Sequence, residues 1–192
     1  MILPIYLYGH PVLRKKGEDI TPEYPNLKEL INDMFETMYA AKGVGLAAPQ
    51  VGLSINLFIV DASPFAEDDE YDELTADERK QLENFKKVFI NARIESEEGE
   101  PWKFNEGCLS IPYIREDVLR KPIIKISYLD ENFQPHTDVF DDIVARIIQH
   151  EYDHTQGILF VDRISTFRKK MIANKLKDIE KGIVVPKYKY KL

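Results

Sequence analysis

One cysteine, Cys108, is all that this chain of 192 residues possesses, so no internal disulfide can form and a reducing cytoplasm is the expected setting. Long apolar runs are missing as well. No stretch approaches the roughly 20 residues that a bilayer-spanning helix requires, so no membrane partner is expected. The apolar start, residues 1–8, has no leading basic region and is interrupted at Pro4, which argues against a secretory signal. No internal repeat or low-complexity segment stands out. Before position 163 acids outnumber bases by thirty-one to sixteen. Residues 163–192 hold ten Lys and Arg against two acids, Asp178 and Glu180, although the whole chain carries a formal charge of -7. The body is therefore acidic, which argues against DNA as a partner.

What is present describes an ordinary globular protein, with 44% hydrophobic and 31% charged residues, enough for one domain with a real core. Residues 25–41 are predicted helical. Leu27, Leu30, Ile31, Met34, Phe35 and Met38 recur at helical spacing, and Gly43 with Gly45 ends the pattern. Residues 53–60, 87–94 and 123–129 are apolar and β-prone and should form strands. Residues 67–78 are an acidic run, expected to be a solvated surface insertion (about 66–80) leading into a short helix near 79–85. The best helix spans 141–155, with Asp141 and Asp142 as N-terminal acid and cap and Gly157 as the stop. A further helix over 166–181 precedes a short basic tail.

Ile143, Ile147, His150 and His154 lie on one face of that best helix, at i, i+4, i+7 and i+11. His150-Glu151-Tyr152-Asp153-His154 is an H-E-x-x-H motif. Two imidazoles four residues apart can converge on one metal, with Glu151 beside them to act on a water rather than to ligate. Two histidines need a third protein ligand to leave one open catalytic position. The metzincin pattern needs a histidine six residues after His154, where Phe160 stands, and a thermolysin-like acid would have to be Glu180 in a basic stretch. Cys108 is the remaining candidate, although an isolated cysteine is more often a small buried apolar residue.

Three segments now stand together in order: Gly43-Val44-Gly45-Leu46-Ala47-Ala48-Pro49-Gln50, Glu106-Gly107-Cys108-Leu109-Ser110 and the H-E-x-x-H motif. With them the chain resembles the peptide deformylases of bacterial type. The resemblance implies one α+β domain over 1–192, with antiparallel strands packed around a central helix carrying the motif and a C-terminal helix. It implies that Cys108, His150 and His154 hold one divalent metal ion, Fe(II) natively, with zinc, nickel or cobalt as alternatives. Glu151 would be general base and then general acid. The Gln50 side chain and the Leu109 backbone N–H would receive the developing oxyanion. Gly43, Val44, Gly45, Glu106, Ile147 and Arg115 would bind substrate, with Phe104 beside them, and Arg120 would pair with Asp153 behind the helix. The substrate would be formyl-methionyl nascent peptides, deformylated in the cytoplasm of a bacterial-type cell.

Some features depart from the family's minimal pattern. The acidic insertion is long. Arg146 is expected at the rim of the cleft, where it would alter preference beyond methionine. The basic C-terminal segment reads as a solvated helix face, and its functional alternative is contact with ribosomal RNA. Two rival functions differ in class: a metallopeptidase using the same helix, and a formyl-peptide binding module without turnover.

Overall fold

The computed structural model describes residues 1–192. From the N-terminus come β1 (Ile5–Tyr6), α1 (Leu27–Ala40), β2 (Gly45–Ala47), β3 (Leu57–Asp61), α2 (Ser63–Ala66) and α3 (Ala76–Glu83). Four longer strands follow: β4 (Lys86–Glu98), β5 (Trp102–Cys108), β6 (Ile111–Arg120) and β7 (Ile123–Leu129). The chain closes with β8 (Pro135–Asp141), α4 (Asp142–Thr155), α5 (Thr166–Glu180) and β9 (Tyr190–Lys191). Strands β2, β3, β4, β7 and β8 form one antiparallel sheet in that order. Strands β5 and β6 form a separate antiparallel hairpin, and β9 pairs in parallel with β1.

The period of two along β3 explains the layering. Phe58 and Val60 face the cluster containing Ile143, Ile147 and Ile148 of α4, whereas Leu57 and Ile59 face Ile31, Met34, Phe35 and Met38 of α1. Both faces of β3 are buried, so the strand reads as an unbroken apolar run. A third cluster joins Ile111, Ile114 and Val118 of β6 to Ile172, Leu176 and Ile179 of α5 and to Ile5 and Leu7 at the N-terminus. Helix α4 is thus pressed onto the sheet, with the hairpin β5–β6 beside it. This is the expected α+β arrangement around the motif-bearing helix.

Several boundaries move, each for a local reason. Helix α1 begins at Leu27 because Asn26 is left-handed, at φ 55°. Strand β3 begins four residues later than expected. A 3-10 turn over Ala48–Val51 ends at Gly52 (φ 90°), and Asn56 N–H then donates to the Glu18 carbonyl. Helix α3 starts at Ala76, earlier than expected, because Thr75 and Glu78 form a reciprocal capping box. Asp141 makes no side-chain cap for α4; instead Asp142, at φ 48°, donates its N–H to the Pro122 carbonyl. The expected stop holds. Gly157 (φ 74°) donates to the His154 carbonyl and Ile158 to that of Asp153, a Schellman ending that fixes the last turn of α4.

The hairpin β5–β6 is the main element that apolar pattern did not foresee. Glu116 and Arg120 occupy inward, buried positions of β6 in register with Ile114 and Val118. Two charges in the apolar phase hide the alternation.

Candidate metal centre and active site

Helix α4 contributes His150, Glu151 and His154, all buried, and the end of β5 contributes Cys108. One donor atom from each of Cys108, His150 and His154 lies within 4.8 Å of the others, and Cys108 Sγ is 3.3 Å from His154 Nε2. A tetrahedral site with metal–ligand bonds of about 2.0–2.3 Å places its donors roughly 3.5 Å apart, so this set fits a cation. Glu151 Oε2 is buried without a protein partner beside the cluster; His154 Nδ1, on the ring edge turned away from Cys108, is also unpartnered.

A charged network behind the helix sets His150. Its Nδ1 lies 2.9 Å from Glu106 Oε1, which assigns the ring proton there and turns Nε2 towards the site. Glu106 also accepts from Arg120 Nε (2.8 Å), Arg120 Nη2 (3.0 Å) and Arg146 Nη1 (2.8 Å). Arg120 Nη1 reaches Asp153 at 2.8 Å, as anticipated, and Arg163 donates to the same carboxylate. Burial works against charge on Glu106, but His150 and Arg120 outweigh it and hold the carboxyl far below its usual range. Burial pushes Glu151 up to about 7. His154 is driven well down, first by burial and then by the positive field of His150 and Arg120.

Gln50 comes from the 3-10 turn. Its Oε1 accepts from Ala47 N–H at 2.9 Å, which fixes the amide orientation. The Nε2 group therefore points at Ser110 Oγ (3.2 Å) and Cys108 Sγ (3.5 Å). The Leu109 N–H, in the turn after Cys108, donates to no protein acceptor. Two donors thus stand beside the Cys–His–His cluster.

These groups open onto a cleft of about 860 Å³. Gly43, Val44 and Gly45 lie along one side, at the unpaired edge of β2, and residues 104–108 of β5 along the other. Val44, Phe104 and Ile147 supply an apolar lining, and Arg115 stands at the mouth, held by Asn105. Gly45 is required for a direct steric reason: a Cβ there would lie 2.6 Å from Glu151 Oε1. Gly45→Ala should therefore lower kcat about a hundredfold by displacing that carboxylate, with the fold intact by circular dichroism.

Two sequence expectations change. Glu106, grouped with the substrate-binding residues, does line the cleft, while its carboxylate faces inward onto His150 and two arginines. Arg146 is not at the rim; it is buried beneath Trp102 and Phe104, donating to Glu106 and to the Val118 and Trp102 carbonyls. The acidic insertion is exposed at most of its carboxylates, yet Phe65 and Tyr71 pack against Phe104 and form one cleft wall with Asp68 and Glu70. Sequence reasoning also missed Pro186, Lys187 and Tyr188, which join the cleft from the C-terminal tail. No local motif marks them; the Tyr188 hydroxyl, for one, meets the Leu109 carbonyl 79 residues earlier in the chain.

A family profile described as polypeptide deformylase matches residues 2–170. The peptide deformylase of Flavobacterium johnsoniae is 59% identical over 191 residues, spanning all of this chain and 96% of its own. That of Christiangramia forsetii is 56% identical over 98% of this chain and 95% of its own. Among solved structures, Arabidopsis thaliana peptide deformylase 1B with an inhibitor superposes with a TM-score of 0.80 at 33% identity, over 94% of this chain and 92% of its own. The Synechococcus elongatus enzyme with actinonin gives 0.76 at 37%, over 91% and 86%. The open Cys–His–His cluster, the glutamate beside it and these likenesses along nearly the whole chain have one explanation: the chain is a hydrolase belonging to the peptide deformylase family.

Proposed function

We propose that this chain uses a divalent cation held by Cys108, His150 and His154 to hydrolyse the formyl group of formyl-methionyl nascent peptides in the cytoplasm, releasing formate and a free amino terminus. The observation that carries this reading is the convergence of the three donors within 4.8 Å, with Glu151 on the adjoining turn of the same helix. When bound, the cation supplies Lewis acidity at neutral pH. Glu151 takes a proton from the attacking water and returns it to the methionine nitrogen as the C–N bond breaks. Without that return the amine leaves as a poor, unprotonated group. The Gln50 Nε2–H and the Leu109 N–H donate to the formyl oxygen as it gains negative charge, each worth about 3 kcal/mol of barrier. The edge of β2 at Gly45 offers backbone groups to an extended peptide, and Val44, Phe104 and Ile147 receive the methionine side chain. Thiolate and imidazole ligands accept zinc, nickel or cobalt as well, whereas family resemblance favours Fe(II) as the native ion.

The test is formate release from formyl-methionyl-alanyl-serine by anaerobically purified protein of known metal content. Rapid release supports the reading; silence from a fully metallated protein leaves the binding-module alternative in its place. Cleavage of unformylated peptides would instead favour the metallopeptidase.

A second part of the proposal concerns α5. Lys169, Lys170, Lys175 and Lys177 are free of ion pairs, and Phe167 and Met171 are exposed on the same helix. This surface suits ribosomal RNA near the emerging chain. Reversing the four lysines to glutamate should abolish salt-sensitive co-sedimentation with ribosomes, leaving turnover of the tripeptide intact. Unchanged co-sedimentation refutes it.

A further inference from the structure

The Leu109 N–H is a useful oxyanion donor only if its peptide plane is held still. The preceding residue, Cys108, is fixed by pairing with Ile111 at the end of the hairpin. The following planes are fixed by the two ends of the chain. Tyr8 N–H donates to the Ser110 carbonyl at 2.8 Å, and the Tyr188 hydroxyl donates to the Leu109 carbonyl. Tyr188 reaches that position because β9 is tied to β1: Ile5 N–H donates to Lys189 (3.0 Å) and Leu7 N–H to Lys191 (2.9 Å). The Leu109 side chain is seated against Gly43, where an added Cβ would lie 2.7 Å from Leu109 Cδ1.

We infer that Tyr188 is a positioning residue for the reaction: its hydroxyl, by holding the Leu109 carbonyl, aims the Leu109 N–H at the oxyanion. Two successive carbonyls, at 109 and 110, are thereby anchored by the C-terminal and N-terminal segments. The remaining soft motion is a counter-rotation of the peptide planes on either side of Leu109 Cα. The Leu109 N–H shares its peptide plane with the Cys108 carbonyl, so that motion tilts the N–H away from the site by straining the Cys108–Ile111 pairing. The Tyr188 hydroxyl blocks it, because turning the Leu109 carbonyl breaks a partly buried hydrogen bond. The tail is thus part of the catalytic scaffold as well as a basic surface. This inference rests on the assignment of Leu109 as an oxyanion donor.

Tyr188→Phe isolates the hydroxyl, since it keeps the ring that packs beside Leu109 and lines the cleft. With formyl-methionyl-alanyl-serine, kcat should fall about tenfold, a fraction of the 10²–10³-fold lost when a donor is removed outright. KM should stay within twofold and thermal stability should be nearly unchanged. In the zinc-loaded protein the backbone order parameter of the Leu109 amide should drop from about 0.85 towards 0.6. A purely packing role predicts wild-type kcat in Tyr188→Phe and a stability loss only in Tyr188→Ala, and that pattern overturns the inference. A raised KM at constant kcat also overturns it, because the hydroxyl would then be touching substrate. If the parent itself releases no formate, the deformylase mechanism fails, and an unaltered order parameter in the variant would separately remove the brace.

Discussion

Glu151→Gln is expected to slow formate release about 10³-fold, with KM within a few-fold and metal content unchanged. The substitution keeps the shape of the side chain and removes only its capacity to accept and return a proton. Glu151 is buried, and its Oε2 has no protein partner, so no neighbouring group can take over the transfer. The closest other carboxylates, those of Glu106 and Asp153, are already saturated by arginines behind the helix. A variant that retains more than a tenth of the parent rate would sink the assignment of Glu151 as the proton-transfer group. Metal analysis alongside is essential, because a lost ion would mimic the same slow phenotype.

The largest effect on stability belongs to Glu106→Ala. The carboxylate accepts from two buried guanidinium groups and from His150 Nδ1. Its removal leaves Arg146 without a carboxylate and Arg120 with only Asp153, both shielded from solvent. Breaking a buried pair in this way costs about 3–5 kcal/mol, a large part of the roughly 5–15 kcal/mol that holds such a domain together. His150 loses its orienting acceptor at the same time, which should weaken metal binding about 10–100-fold. Urea unfolding of the chelated protein reads the first effect, and competition with a chromophoric chelator reads the second. Arg120→Ala should lower metal retention by a smaller factor, since Arg146 still pairs with Glu106. Parent-like midpoints and affinity in Glu106→Ala would show that the network is ornamental.

The binding-module alternative is weakened by the same geometry. A protein that only held formylated peptides would have no need of a buried carboxylate with open acceptor capacity beside a three-donor cluster. Nor would it need a glycine, Gly45, whose lack of a side chain leaves room for that carboxylate.

Much of the site was legible in the chain because its parts are local. The spacing of His150 and His154 is one helical turn, so helix geometry alone brings both imidazoles to one face. Gly43 to Gln50 and Glu106 to Ser110 are likewise short segments whose order marks the family. The apolar periods of α1, β3, β7 and α4 placed those elements within a few residues. Pattern failed where charge took an apolar place. Glu116 and Arg120 disguised β6, and Arg146 suggested a cleft rim although it lies under Trp102 and Phe104.

The sequence by itself therefore determined the helix, the three donors that the fold brings together and the family. The tertiary structure decided which charges are buried together and which peptide planes are held. It joined Glu106 to His150 across 44 residues, Arg120 to Asp153 across 33, and Tyr188 to Leu109 across 79. Those partnerships have no periodic signature, because each depends on two distant segments meeting at hydrogen-bond distance, and only the packed sheet, hairpin and helices set that meeting.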